Sequence, residues 1–337
     1  SSQLPIVKEL ICGVSGSSPY LNGLLTLEHE WVNKALKDSN SIIEKEFLRL
    51  KKNANSNIKG ELRRSKRRIA IWSALCDLSG VWNLSEVTST LTRFADLACQ
   101  LALESALRVE ISRGSIPGFS SYNSADETGL FLIAMGKMGA HELNYSSDID
   151  LICLFDETRF GEEDFFAARK GFIKVTRLLN QILSDSTEEG YVFRTDFRLR
   201  PDPSVTPICI ASGTAERYYE SIGRTWERAA FIKGRVIAGD IESGKEFLNT
   251  LKPFVWRKYL DFAAIEDAHD MRLRIREHKK LGGPLKLKGH NIKLGLGGIR
   301  EIEFFTQTRQ LIVGGRDPDL RVKGTVAGLS KLEEKGW

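Results

Sequence analysis

The chain has 337 residues, a length that suggests about two domains and allows a core large enough to fold without disulfide or metal staples. Hydrophobic residues make up 42% and charged residues 28%, which excludes bulk disorder, and no apolar run is long enough to span a membrane as a helix. The formal net charge of +5 is too small to require a nucleic-acid partner, but it suits a site that handles phosphates.

Residues 1–10 hold no basic segment followed by an apolar one, so no signal peptide is expected. The five scattered cysteines include no CxxC pair and point to reduced thiols in a cytoplasm. The sequence opens without Met and ends in mid-pattern, as a piece of a longer protein does.

Residues 1–115 read as helical. Val87, Leu91, Phe94, Ala98, Leu101 and Ser105 step by three and four, and Leu107 and Ile111 extend that face of a long helix. Ile69, Trp72, Leu75 and Cys76 do the same on a shorter one. The basic run Lys59, Arg63, Arg64, Lys66, Arg67, Arg68 has no aromatic until Trp72, so a solvated helix face is expected rather than a nucleic-acid-binding arm. The pattern then breaks at 113–118, and 120–127 is a polar loop.

Residues 130–135 form a continuous apolar run between Gly129 and Gly136, which suits a buried strand. A second strand is expected over 148–155, a helix over 165–183, a third strand over 191–199 and a fourth over 206–210. From 212 the chain reads as helical again, with breaks at 235–240 and 282–298. The expected organisation is a helical region 1–115, a core 116–212 and a second helical region 213–337. That makes a predominantly helical α+β protein with a small mixed β-sheet.

The informative stretch is 136–151, which leaves the first strand and enters the second. Asp148 and Asp150 are two apart on a strand and point to the same face. Two carboxylates side by side repel each other, and a divalent cation would compensate that repulsion. On the third strand Val192, Arg194, Asp196, Arg198 and Arg200 share a face, an acid within a row of guanidinium groups that suits a polyanion. The plainer reading of that strand is salt bridging between Asp196 and its arginine neighbours. Gly136, Lys137, Gly139, Ser146 and Ser147 would let the backbone approach an anion, without forming a P-loop. Carboxylate-bound Mg²⁺ with arginine on phosphate implies phosphoryl or nucleotidyl transfer.

Weaker signals lie further on. Glu301 and Glu303 fall in the first turn of a helix, where they compensate its dipole or support metal ligands from behind. Glu227, Lys233 and Arg235 read as a charged helix end that could also grip phosphate. Gly295, Gly297 and Gly298 lack the strand context of a dinucleotide site, and His141, His269, His278 and His290 have no partner at ligand spacing.

Residues 136–151 resemble the nucleotidyltransferase motif of a Gly-containing turn followed by Ser-Asp-x-Asp. Four blocks in order carry a closer resemblance: 136–151, Asp196-Phe197-Arg198-Leu199-Arg200-Pro201, Trp226-Glu227-Arg228 and 291–304. Together they resemble the glutamine synthetase adenylyltransferase/adenylyl-removing enzyme family over about two thirds of the chain. The resemblance implies two homologous halves, one removing AMP from a tyrosine of glutamine synthetase by phosphorolysis and the other adding it from ATP. Residues 144–150 and 293–304 look like the removing half. The resemblance also implies Asp148, Asp150 and Asp196 as catalytic Mg²⁺ ligands, with Mn²⁺ as a substitute. Its implied partners are adenylylated glutamine synthetase, phosphate and ADP, the PII signalling protein and a C-terminal adenylyltransferase half, with neither nucleic acid nor membrane. Ala140 and His141 stand where the family usually has glycine, and 202–207 replaces a Gly-rich loop. ATP-dependent adenylylation and a non-catalytic nucleotide- or PII-binding module are the alternatives.

Overall fold

A computed structural model of the chain describes residues 4–37, 41–258 and 288–337. Six helices come first: α1 (Leu4–Ser17), α2 (Pro19–Leu27), α3 (His29–Lys37), α4 (Ile42–Asn53), α5 (Ile58–Leu78) and α6 (Leu84–Ser112). A capping box starts α6: the Asn83 side chain accepts from the Glu86 amide at 3.0 Å and Glu86 accepts from the Asn83 amide at 2.8 Å. The expected face of α6 is buried at Val87, Leu91, Phe94, Ala98, Leu101, Leu107 and Ile111. Ala95, Ala102, Leu103 and Ala106 are buried too, so α6 is a central helix surrounded on most sides.

The basic run on α5 is not a solvated face. Arg63 is almost fully buried and donates to the carbonyls of Gly190 at 2.6 Å, Ile182 at 3.3 Å and Asp185. Arg67 and Arg68 share Glu28, and Arg68 also reaches Glu46. Lys66 donates to the Tyr191 carbonyl and sits over the Tyr191 ring. These cations join α5 to α2, α4 and the segment around 182–191, so their partners are carbonyls and carboxylates of this chain.

The sheet has five strands: β1 (Leu130–Ala134), β2 (Ile149–Phe155), β3 (Thr195–Asp196), β4 (Cys209–Ala211) and β5 (Arg235–Gly239). Its order is β3-β2-β1-β5, with β4 also on β2. β1 runs antiparallel to β2 and β5, whereas β2 runs parallel to β3 and β4. Alternate residues of β1 and β2 enter two different cores. Leu130, Leu132, Leu151 and Cys153 pack towards α5, α6 and α8 (Phe165–Ser184), while Phe131, Ile133, Ile152 and Leu154 pack against the other layer. Burial on both faces explains the continuous apolar runs. The other layer is α9 (Ser212–Ser221), α10 (Thr225–Phe231), α11 (Ile241–Thr250) and α12 (Lys252–Val255).

Two sequence expectations change. The break at 235–240 is a strand that closes the β1 edge of the sheet, although it lies beyond residue 212. The strand expected over 191–199 shrinks to Thr195–Asp196. The amides of Val192 and Phe193 both donate to the Leu183 carbonyl, so the chain first wraps the end of α8 and joins β2 only briefly. Among the described residues two helices follow, α13 (Ile299–Val313) and α14 (Thr325–Glu334). His269, His278 and the start of the 282–298 break lie outside the described residues. The five cysteines are free thiols, four of them buried, and no described helix is long and apolar enough to cross a membrane.

Candidate active site

The site lies at the mouth of β2. The chain leaves β1 into a single helical turn, α7 (Gly136–Gly139), and returns through an exposed loop at 144–148. Gly136 has φ +54°, and a Cβ there would lie 2.7 Å from Asp150 Oδ2. Only glycine combines that backbone conformation with that approach to a carboxylate. At Gly139 a Cβ would lie 2.0 Å from the Lys233 carbonyl oxygen, so the turn packs directly on the chain that enters β5.

Asp150 and Asp196 are register partners across the parallel β2–β3 pair, and their side chains therefore share a face. Asp148 stands just before β2 and is exposed. Burial, then the charges of Asp196 and Asp148, push the Asp150 carboxyl up to about 6, against the opposing pull of Arg198 and Lys293. Asp196 is held below its ordinary value, chiefly by Arg198, whose backbone amide donates to it at 2.8 Å and whose Nε donates at 3.0 Å. Arg194 Nε donates to Asp148, while its other nitrogens donate to the Ser146 carbonyl at 2.8 Å and the Tyr191 hydroxyl at 3.0 Å. Asp150 and Asp196 are thus side by side, Asp148 is near enough for its charge to act on Asp150, and Arg194 and Arg198 lie on Asp148 and Asp196. Among the described residues no three His, Cys, Asp or Glu side chains form a ready metal-binding set.

The salt bridging to Asp196 anticipated as the plainer reading of the third strand is therefore present at Arg198 alone, since Arg194 pairs with Asp148 instead. The arginine row is not present, because Arg200 is turned away. Its guanidinium donates to the carbonyls of Phe197 at 2.8 Å, Pro203 at 3.0 Å and Thr206 at 2.8 Å, which fixes the 201–206 loop. Lys137 and Ser146 are exposed at the site mouth and Ser147 is half-buried.

The remaining candidates lie further back. Glu227 is buried, accepts from the Arg224 amide at 2.7 Å and caps α10; burial raises its carboxyl above the ordinary value. Arg235 makes a two-pronged bond to Asp96 at 2.8 and 2.9 Å and donates to the Met138 carbonyl at 3.0 Å. Glu301 accepts from the Gly297 amide at 2.8 Å, in keeping with its expected place at a helix N-terminus. Glu303 and Lys233 pair with each other. Two residues were missing from the sequence-based set. Lys293 is close enough for its charge to act on Asp150, and the Gly-rich loop just ahead of a helix was its signal. Glu142 ties the turn to Lys233 at 3.3 Å and to the Thr325 amide at 2.8 Å; its place within the 136–151 block was the signal that could have found it.

A small mixed sheet between helical layers, with an acidic face where β2 and β3 begin and a glycine turn laid on it, defines the class: a predominantly helical α+β protein with a carboxylate-centred site. The chain belongs to the glutamate-ammonia ligase adenylyltransferase family, which it matches over residues 10–250. Residues 269–337 match a second family, GlnD PII-uridylyltransferase. A relative from Bradyrhizobium sp. (strain ORS 278), named bifunctional glutamine synthetase adenylyltransferase/adenylyl-removing enzyme, is 43% identical over 336 residues, 98% of this chain and 34% of the relative. Relatives of the same name from Brucella suis and Mesorhizobium japonicum are 48% and 47% identical over 284 residues, 84% of this chain and 29% of each relative. The chain spans about a third of the length of the curated relatives it matches.

Proposed function

We propose that this chain removes adenylyl groups from glutamine synthetase by phosphorolysis. The observation that carries the reading is the Asp150–Asp196 pair across β2 and β3, with Asp148 just ahead of β2 and the Asp150 carboxyl pushed up by burial and then by its acidic neighbours. The donors are oxygen only, which fits Mg²⁺ or Mn²⁺ rather than a softer metal. Asp148, Asp150 and Asp196 would hold it, and when bound it would neutralise the charge on the adenylyl phosphate and on the departing tyrosinate.

The chain's own residues do the rest. Arg198, whose side chain is 83% exposed, can exchange Asp196 for a phosphate oxygen, and Arg194, Lys137 and Lys293 add positive charge around the same mouth. An oxygen of inorganic phosphate bonds to the adenylyl phosphorus, the bond from phosphorus to the tyrosine oxygen breaks, and the electron pair leaves on the phenolate. The products are ADP and a tyrosine that takes its proton from water. A phenol with a pKa of about 10 leaves without a general acid. The site itself is compatible with either direction of transfer. The removing direction rests on the likeness of residues 144–150 and 293–304 to that half of the family. The match of 269–337 to a PII-uridylyltransferase family supports the PII protein as a regulatory partner.

Incubation with adenylylated glutamine synthetase, phosphate and Mg²⁺ tests the reading, which expects ADP and unmodified enzyme. Transfer of AMP from ATP onto unmodified glutamine synthetase, without ADP formation in the phosphate assay, would make this the adding half. Nucleotide or PII binding with neither reaction would make it a regulatory module.

A further inference from the structure

We propose that Lys233 is a positioning residue for this reaction. Together with Glu142, Glu303 and Thr325 it seats the turn that lies on Asp150. The inference rests on the function proposed above.

Lys233 is buried, and its Nζ has three acceptors: Glu142 Oε2 at 3.3 Å, Thr325 Oγ1 at 3.1 Å and Glu303 Oε1. An ammonium has three donors, so its capacity is filled. Burying a charge costs several kcal/mol, and packed apolar residues often hold elements together as well as a buried ion group does. The lysine supplies what a hydrocarbon cannot, a fixed direction to three acceptors on three separate pieces of chain.

Those pieces converge on the Gly136 turn. Glu142 ends it, and the Glu142 amide donates back to the Lys137 carbonyl at 2.8 Å. Gly139 rests on the Lys233 carbonyl, and Arg235 donates to the carbonyls of Met138 and Gly139. At the other end of the turn the Met135 amide donates to the Asp150 carbonyl at 2.9 Å, and Gly136 lies against the Asp150 carboxylate. A shift of the turn is therefore felt at Asp150 through backbone contact. The partners also come from both matched segments. Glu142 and Lys233 lie within 10–250, while Glu303 on α13 and Thr325 at the start of α14 lie within 269–337. The seat of the C-terminal helices thus reaches the catalytic turn through Lys233 and, directly, through the bond from the Thr325 amide to Glu142.

The test compares Lys233→Met, Lys233→Arg, Glu142→Gln and, as a control, Arg67→Met, which removes a cation paired to Glu28 on the N-terminal helices. Each is assayed for ADP formation well below its own unfolding midpoint, and backbone hydrogen exchange is read over 135–143. Lys233→Met and Glu142→Gln are expected to lower kcat about 10- to 100-fold, the usual loss for partners that orient ligands, with KM for phosphate unchanged. Exchange over 135–143 should quicken in both. Lys233→Arg should recover part of kcat, and Arg67→Met should lower the midpoint while leaving kcat and exchange at the turn unchanged. Unchanged kcat and unchanged exchange in folded Glu142→Gln would overturn the inference, and that variant decides the matter if Lys233→Met does not fold. If the unsubstituted chain forms no ADP, the phosphorolysis reading fails by itself, and exchange at the turn still decides whether Lys233 seats it.

Discussion

Asp150 shows how far a single position can be read. Spacing alone singled out Asp148 beside it, but β2 begins at Ile149, so Asp148 lies outside the strand; the β2–β3 register is what sets Asp196 opposite Asp150. Asp150→Asn should cut turnover at least ~100-fold, about 3 kcal/mol of transition-state stabilisation. Its melting temperature in chelator should not fall, because the substitution relieves repulsion from Asp148 and Asp196. Calorimetry and a turnover assay on the same preparation check both parts. The arginines divide differently from their expected row. Arg198→Ala should raise KM for phosphate with little change in thermal stability, since the side chain is 83% exposed. Arg200→Ala should destabilise the 201–206 loop by leaving three carbonyls without their donor, a loss of about 1–3 kcal/mol seen in denaturant unfolding. Alternation along 191–200 could not separate these roles. A residue's direction depends on whether its segment stays in the sheet, and this one leaves after Asp196.

Elements were legible where their pattern is local. The run at 130–135, the helix from 165 and the α6 stripe appear within a residue or two of expectation. β5 was not legible, because Arg235–Gly239 is short, sits between Gly234 and Asp240, and finds its partner β1 about a hundred residues earlier. The α5 basic run failed for the same reason. Its helical spacing is plain, but Arg63 bonds Gly190, 127 positions away. Arg63→Met should lower stability by about 3 kcal/mol or more, because it strips donors from buried carbonyls at the end of α8. Arg63→Lys should not restore it, since one ammonium cannot span the same acceptors.

The loop before α14 carries a pH signature. Burial, then the charge of Arg235, lower the Lys323 ammonium to about 8, and its Nζ donates to the Gly234 carbonyl at 2.7 Å. An unfolded lysine titrates near 10.4, so between about 8 and 10 the unfolded state holds more protons than the folded one. Stability contributed by this group therefore rises with pH across that window and is flat below it. The stability difference between the unsubstituted chain and Lys323→Met should follow that course in urea unfolding from pH 7 to 10. A difference that stays constant would show that burial does not shift this lysine.

Across the whole molecule the acidic mouth of β2 is built by pieces far apart in sequence. The turn at 136–143 is held by β5 and the C-terminal helices, Asp196 arrives from a chain that first wraps α8, and α5 fixes the end of α8 through Arg63. The motif residues were legible because they are contiguous; the frame that aims them was not, because it is assembled from long-range polar contacts. The central claim concerns the direction of the chemistry. Radiolabelled inorganic phosphate, supplied with adenylylated glutamine synthetase and Mg²⁺, tests it most directly. Phosphorolysis predicts label in the β-position of ADP, appearing in step with unmodified enzyme. Release of unlabelled AMP, or label passing from ATP to unmodified glutamine synthetase while no ADP forms from phosphate, would contradict it.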